Sequence, residues 1–207
     1  MAGTISKRNE KDGKMRNSIM KIFSLSPIEI VGKSVNSTGA EELKECFEDL
    51  KNIIFAGNFI EHDQTVTPSI GKGCCSKVPW VAIHFKGVKI SSPGMRIGYL
   101  FNLRKRKAVL ALMCGTHNEM DKPLDRQETI RMRNEVQGKL DIHHDGYFKK
   151  NNNVVSDASG GSGVSENYDV AVCYYKIYDS ASVPDDAVLK EDLYKMCMLY
   201  RKYLEIK

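Results

Sequence analysis

The sequence predicts an α+β protein, with a single domain in which helices flank a curved, mainly antiparallel sheet. Apolar residues alternate with other residues from Trp80 to Phe85 and from Ile97 to Leu103, and a further apolar run extends from Ala108 to Cys114. Apolar residues recur at helical spacing near both ends of the chain, from Met15 to Leu25 and from Asp185 to about Glu205. We therefore expect helices on either side of a run of strands.

The sequence pattern in the first part of the chain predicts helices followed by strands. Residues 1–14 are polar, so we expect a disordered N-terminus followed by a domain over residues 15–207. Ser26-Pro27 ends the first helix, and Thr38 precedes a second helical stripe. The segments Ile53–Ile60 and Gln64–Ile70 then predict two strands that lead into the central region.

The last part of the chain returns to helices. The charged segment Asp125–Leu140 predicts a surface helix. Residues from about 141 to 165 contain two adjacent histidines, three Asn and a Gly-Gly-Ser-Gly run, which predicts a mobile loop. Asp169–Tyr178 then predicts a further strand before the closing helix.

Composition narrows the class of protein. The formal charge of +5 allows a polyanionic partner without requiring one. The six cysteines form no C-x-x-C pair, which favours a reducing, cytoplasmic location. No apolar run approaches the ~20 residues that cross a bilayer. We expect no membrane partner, no cofactor and no bound metal.

The stretch from Gly71 to Cys114 carries the strongest signals for binding. Gly71 and Gly73 flank Lys72 on a predicted tight loop, and Pro79 precedes Trp80, the only tryptophan of the chain. Two strands then meet at a cationic hairpin turn. Basic side chains in and around this region are natural contacts for DNA phosphates, which fix position without reading sequence. The candidates for backbone contacts are Lys72, Lys77, Arg104, Lys105, Arg106 and Lys107.

The same stretch resembles the N-terminal DNA-binding domain of the McrB family. The resemblance lies in a Gly-x-Gly loop, then Val-Pro-Trp followed by a hydrophobic residue and Ala, and then Gly-x-x-x-x-Tyr-Leu-Phe. The residues that carry it are Gly71, Gly73, Val78, Pro79, Trp80, Ala82, Gly94, Tyr99, Leu100 and Phe101. A weaker similarity near the end involves Tyr178-Asp179 and the closing helix, so the resemblance spans roughly Met15 to Leu204. In that family the domain is the specificity module of a modification-dependent restriction system.

The resemblance implies a pocket for a base that has been flipped out of the duplex, 5-methylcytosine in the family. The family's pocket tryptophan corresponds to Trp80, its leucine to Leu100, and Tyr168 is the nearest candidate for its late tyrosine. Lys72 stands where the family has a loop tyrosine, which leaves open a different modified base or simple clamping of the backbone. The candidate base pocket therefore has five residues: Trp80, Leu100, Lys72, Tyr168 and Tyr99.

The resemblance also implies partners. We expect modified double-stranded DNA as the ligand and a defence system against foreign DNA as the setting. Family members join such a domain to a GTPase motor or a nuclease. We therefore expect a binding domain without catalytic residues, whose effector activity resides in another domain or subunit.

Two other functions remain open at this point. Trp80 and the basic hairpin would also suit RNA, single-stranded nucleic acid or a protein partner. A nuclease of the HNH type built around His143 and His144 is less favoured, because a complete metal site takes three or four ligands with supporting partners.

Overall fold

The computed structural model describes residues 14–25, 27–57, 59–87, 94–118, 120, 122–140, 146–150 and 164–206. The predicted disordered N-terminus lies outside the described residues, apart from Lys14, which begins the first helix. Most of the predicted mobile loop at 141–165 also lies outside them. Of that loop, residues 146–150 are described, and there Lys149 pairs with Tyr175 through two backbone hydrogen bonds of 3.0 Å.

Five antiparallel strands form one open sheet, which confirms the predicted α+β class. The strands follow one another across the sheet in chain order, and each pairs only with its sequence neighbours. They are β1 Gln64–Lys72, β2 Cys74–Phe85, β3 Met95–Asn102, β4 Lys107–Cys114 and β5 Val172–Asp179. Antiparallel neighbours need only short turns, which explains how the hairpins β1–β2 and β3–β4 arise from local sequence.

Helices pack around this sheet. They are α1 Lys14–Ser24, α2 Pro27–Ile30, α3 Thr38–Ala56, α4 Arg126–Leu140, α5 Val164–Ala171 and α6 Asp186–Glu205. The predicted strand at Ile53–Ile60 is wrong, because α3 continues through Ala56. Leu50 and Ile54 are both buried and lie four residues apart, so they extend the helical stripe and tertiary packing outweighs the β-propensity of isoleucine.

The two faces of the sheet have different surroundings. Phe101 points to the helices, where its ring lies 6.1 Å from that of Phe23 in α1 and 5.0 Å from that of Phe47 in α3. Phe85 on the same face packs against Tyr200 of α6, with ring centroids 5.9 Å apart. We call this side the helix face. The opposite side, turned away from α1, α3 and α6, is called the distal face.

A buried carboxylate fastens α6 to the helix face. Asp192 is fully buried and accepts hydrogen bonds from Lys176 Nζ at 2.6 Å, Tyr147 Oη at 2.6 Å and Tyr178 Oη at 2.9 Å. The buried charge is therefore paired with a cation and bonded to two phenols, as a charge removed from water must be. This network joins β5, residues 146–150 and α6, and holds the sheet rigid behind the distal face.

Candidate nucleic-acid interface

A hollow forms on the distal face because two neighbouring positions carry almost no side chain. Trp80 pairs with Leu100 across β2 and β3, and Ala82 pairs with Gly98 in the next row. The methyl group of Ala82 and the bare backbone of Gly98 leave space between the row of Trp80 and the row of Arg96. The hollow opens to solvent, and the empty space within it and at its mouth together is about 450 Å³. Its lining consists of Trp80, Ala82, Arg96, Gly98, Leu100, Met113, Cys114, Thr116, His117 and Tyr168.

Trp80 and Tyr168 form one wall of this cavity. The Trp80 indole is only partly buried, so one part of it packs on the core while another part faces the cavity. The Trp80 side chain lowers the pKa of the Tyr168 hydroxyl as a hydrogen-bond partner does. Because an indole N–H can only donate, the Tyr168 hydroxyl is the acceptor. Burial raises the pKa of Tyr168, and the bond from Trp80 and the charge of Arg96 partly offset this effect. Trp80 and Tyr168 therefore interact with each other and also line the same cavity.

Arg96 lies at the opposite end of the hollow and is 9% exposed. Burial lowers the pKa of its guanidinium to about 10, while Cys114, Tyr168 and Tyr200 act in the opposite direction. At neutral pH the group is still cationic. The strand beneath it is firmly held, because Tyr200 donates a hydrogen bond of 2.9 Å to the carbonyl of Met95. The cavity therefore combines aromatic and aliphatic walls with one fixed positive charge.

The loop after β4 closes the cavity beside Arg96. Thr116 Oγ1 and His117 Nδ1 lie 3.0 Å apart. The carbonyl of Thr116 accepts a hydrogen bond of 2.8 Å from the backbone N–H of Leu124, and Asn118 N–H donates to Lys122 at 2.8 Å. These bonds hold both ends of the loop together. Two polar side chains thereby join Arg96 in the lining of a mostly apolar hollow.

The chain matches, over residues 33–205, the model of the family described as MrcB-like, N-terminal domain. The chain belongs to this family. The match covers most of the chain and confirms the resemblance to the McrB N-terminal domain seen in the sequence. Membership indicates DNA binding in a restriction system. Comparisons with curated proteins and with solved structures give no match to the chain.

Three of the five candidate pocket residues meet in the cavity of this MrcB-like domain. Trp80, Leu100 and Tyr168 all line it, although they come from β2, β3 and α5. Tyr99 does not, because neighbouring residues of a strand point to opposite faces. Its ring is buried on the helix face and stacks on Tyr178, with centroids 6.3 Å apart.

Lys72 also lies away from the cavity, at the β1–β2 turn. The strand extends six residues from Cys74 to Trp80, which corresponds to about 20 Å. Backbone hydrogen bonds fasten this turn to the segment before α3, from Gly32 N–H to the carbonyl of Cys75 at 3.0 Å and from Val35 N–H to that of Gly73 at 3.1 Å. Lys72 is therefore not among the residues that line the cavity in this structure.

The candidate contacts to the DNA backbone lie at one end of the sheet. Arg104, Lys105 and Arg106 are exposed at the β3–β4 turn, about four residues or 13 Å beyond Leu100. The turn is ordered: Lys105 N–H donates to Asn102 Oδ1 at 3.1 Å, and Arg106 adopts a positive φ of 51°. Lys107 is half-buried in the row next to Leu100 and Val109, on the distal face.

The remaining two candidates, Lys72 and Lys77, lie on the β1–β2 hairpin. Lys72 is exposed, and Lys77 is half-buried. Both hairpins extend in the same direction from the row of Trp80. A phosphate backbone along this end of the sheet would lie next to the row that contains Trp80 and Leu100.

Membrane spans and metal sites are two further features that bear on function. None of the helices in the described ranges combines the length and the hydropathy that a bilayer span requires. Within the same ranges, no cluster of three or more His, Cys, Asp or Glu side chains could hold a metal ion. His143 and His144, the basis of the nuclease alternative, lie outside the described residues.

Proposed function

We propose that this domain recognises a modified base in double-stranded DNA by flipping the base into the cavity beside Trp80. The observation that carries the proposal is that Trp80, Leu100 and Tyr168 line a single hollow, although 88 positions separate the first from the last. A ligand cavity is expected to be mostly apolar, with a few polar groups that fix orientation. This hollow has that composition.

The energetics of flipping support a wall built from an indole. Taking a base out of the duplex costs a few kcal/mol of stacking and pairing. Stacking on an aromatic side chain returns about 1–3 kcal/mol. The remainder must come from contacts to the base edge and its modification, and from phosphate contacts. Flipping is thus favourable overall only when the base carries a modification whose contacts in the cavity supply this remainder.

The basic hairpin supplies the part of the affinity that does not depend on sequence. The side chains of Arg104, Lys105 and Arg106 are exposed, so they reach phosphates without losing packing in the protein. Lys107 on the distal face lies between this turn and the row of Leu100. We infer that the backbone follows this end of the sheet while the flipped base enters the hollow.

In this proposal the domain binds and does not cut. The cleavage or GTPase activity of the restriction system belongs to another domain or subunit, and 5-methylcytosine is the first ligand to test. Single-stranded nucleic acid remains the alternative, because stacking on Trp80 does not require a duplex.

The decisive experiment measures binding to matched duplexes that contain one modified or one unmodified cytosine. Wild-type protein should prefer a modified duplex, and Trp80→Ala should lose most of this preference, roughly tenfold or more, through the lost stacking. Phe55→Ala is the matched control, since Phe55 is an aromatic residue with 59% exposure on α3, outside the cavity. Equal affinity of the wild type for all duplexes would contradict the proposal, and tighter binding of single strands would favour the alternative.

A further inference from the structure

The family resemblance assigns no role to Arg96, yet this residue is the charged group of the cavity. It lies on β3 at the same side of the strand as Gly98 and Leu100, two and four residues away. It is 9% exposed, and its neighbours in the lining include Met113 and Cys114. Trp80, Gly98 and Arg96 line the same cavity, so a base that stacks on Trp80 and extends over Gly98 is directed towards Arg96.

The chemistry of a guanidinium restricts what can face it. Arginine has five N–H donors and no acceptor, and it remains protonated. In a largely apolar hollow, a hydrogen bond to a charged donor is stronger than in water. A carboxylate takes such bonds in a bidentate arrangement, and a carbonyl oxygen accepts them at its single oxygen. A methyl group has no oxygen and accepts no hydrogen bond from a guanidinium.

The backbone at this position is rigid, so the side chain starts from a fixed point. Met95 pairs with Cys114 and Arg96 with Met113 in the β3–β4 ladder. Gly115 N–H donates to the carbonyl of Gly94 at 2.7 Å, which closes the end of this ladder. A group preorganised in this way discriminates between ligands, because little ordering is required when the correct ligand binds.

We propose that Arg96 determines the specificity of the cavity and selects a flipped cytosine whose 5-substituent carries a carbonyl or carboxylate oxygen over one with a methyl group. This inference rests on the proposed function, since it needs the base to enter the cavity. It names the class of modification that the cavity takes: formyl- or carboxyl-bearing pyrimidines.

The test compares four duplexes that differ at one cytosine only: unmodified, 5-methyl, 5-formyl and 5-carboxyl. Wild-type protein should bind the 5-carboxyl duplex about tenfold or more tightly than the 5-methyl duplex, the effect of a charge-assisted hydrogen bond. In Arg96→Met, a neutral side chain of similar reach, this ratio should fall to about one. In Arg96→Lys, which keeps the charge without the planar fork, part of the ratio should return.

The outcomes separate this inference from the proposed function. If wild-type protein prefers 5-methyl to unmodified DNA but gains nothing from the oxygen-bearing groups, the assignment of Arg96 is refuted and base recognition stands. If all four duplexes bind equally, base recognition itself fails. A ratio that survives in a folded Arg96→Met protein, verified by thermal unfolding, also overturns the role of Arg96. Because the first readout uses the wild type, a variant that does not fold leaves the inference testable.

Discussion

Filling the cavity from its floor is the sharpest perturbation that the structure offers. Gly98 forms this floor, and a Cβ atom built there lies 3.8 Å from Met113 Sδ, 3.8 Å from the Val81 carbonyl and 3.9 Å from Leu100 Cδ2. These are ordinary van der Waals separations, so the fold accepts a methyl group at this position. The Cβ atom is already in contact with Met113, Val81 and Leu100, so the further atoms of a larger side chain must extend into the hollow.

The expected magnitudes follow from this geometry. Gly98→Ala should stabilise the protein by about 0.5–1 kcal/mol, because the unfolded chain loses freedom and the strand gains a side chain. For a chain of this size that corresponds to about 1–4 °C in Tm. Gly98→Leu should remove the preference for a modified duplex by roughly tenfold to a hundredfold, the value of one lost stacking contact. Binding that rests on phosphates alone should persist.

The assay is a titration of modified and unmodified duplexes against both variants, with thermal unfolding of each protein. Gly138→Ala is the control, since a Cβ there meets nothing within 4 Å and lies on α4. It should stabilise the protein by up to about 1 kcal/mol and leave DNA binding unchanged. A folded Gly98→Leu protein that binds modified DNA as the wild type does would refute the claim that the base occupies this hollow.

Three further expectations concern the basic turn and the helix face. Replacing Arg104 with Ala and Arg106 with Gly, which suits the positive φ at that position, should weaken all duplexes equally. If each arginine neutralises one phosphate, the slope of log K against log salt should fall by about 1.8, and an unchanged slope would exclude these contacts. Asp192→Ala should lower the free energy of unfolding, measured in urea, by about 3 kcal/mol, because a lysine and two phenols lose their buried acceptor. A decrease in this free energy of less than about 1 kcal/mol would contradict the role of Asp192. Burial raises the pKa of Tyr178 and of Tyr200 above the usual ~10, so their contribution to stability is complete below pH ~10 and lost as pH rises further. A Tm that stays constant from about pH 8 to pH 11 would contradict this assignment.

The alternation of side chains between the two faces of a strand could be predicted from the sequence. This alternation explains which of the predicted site residues lie in the cavity. Trp80 and Leu100 belong to alternating runs, and the structure pairs them directly. Tyr99 has the opposite parity to Leu100, so its exclusion from the cavity follows from the same alternation that identified the strand. The same parity, followed back from Leu100 through Gly98, leads to Arg96, which sequence reasoning had passed over.

The rest of the site depends on tertiary contacts. A charged residue at the start of a strand is usually solvated, and tertiary packing around the cavity leaves Arg96 only 9% exposed. Thr116 and His117 lie in a segment that shows no periodicity, and hydrogen bonds to residues 122–124 place them at the rim. Lys72 stands where the resemblance implies a pocket tyrosine, but the length of β2 separates it from Trp80. The distance between two such residues depends on the lengths of the strands and on how they pair, and a short sequence motif does not specify either.

Fluorescence of the single tryptophan tests the central claim most directly, because Trp80 is the only indole in the chain and forms a wall of the cavity. Saturating modified duplex should change its emission strongly through stacking with the flipped base. Unmodified duplex, bound through phosphates to the same saturation, should leave the emission nearly unchanged. Identical emission in the two complexes would contradict the account, because no base would then be in contact with Trp80.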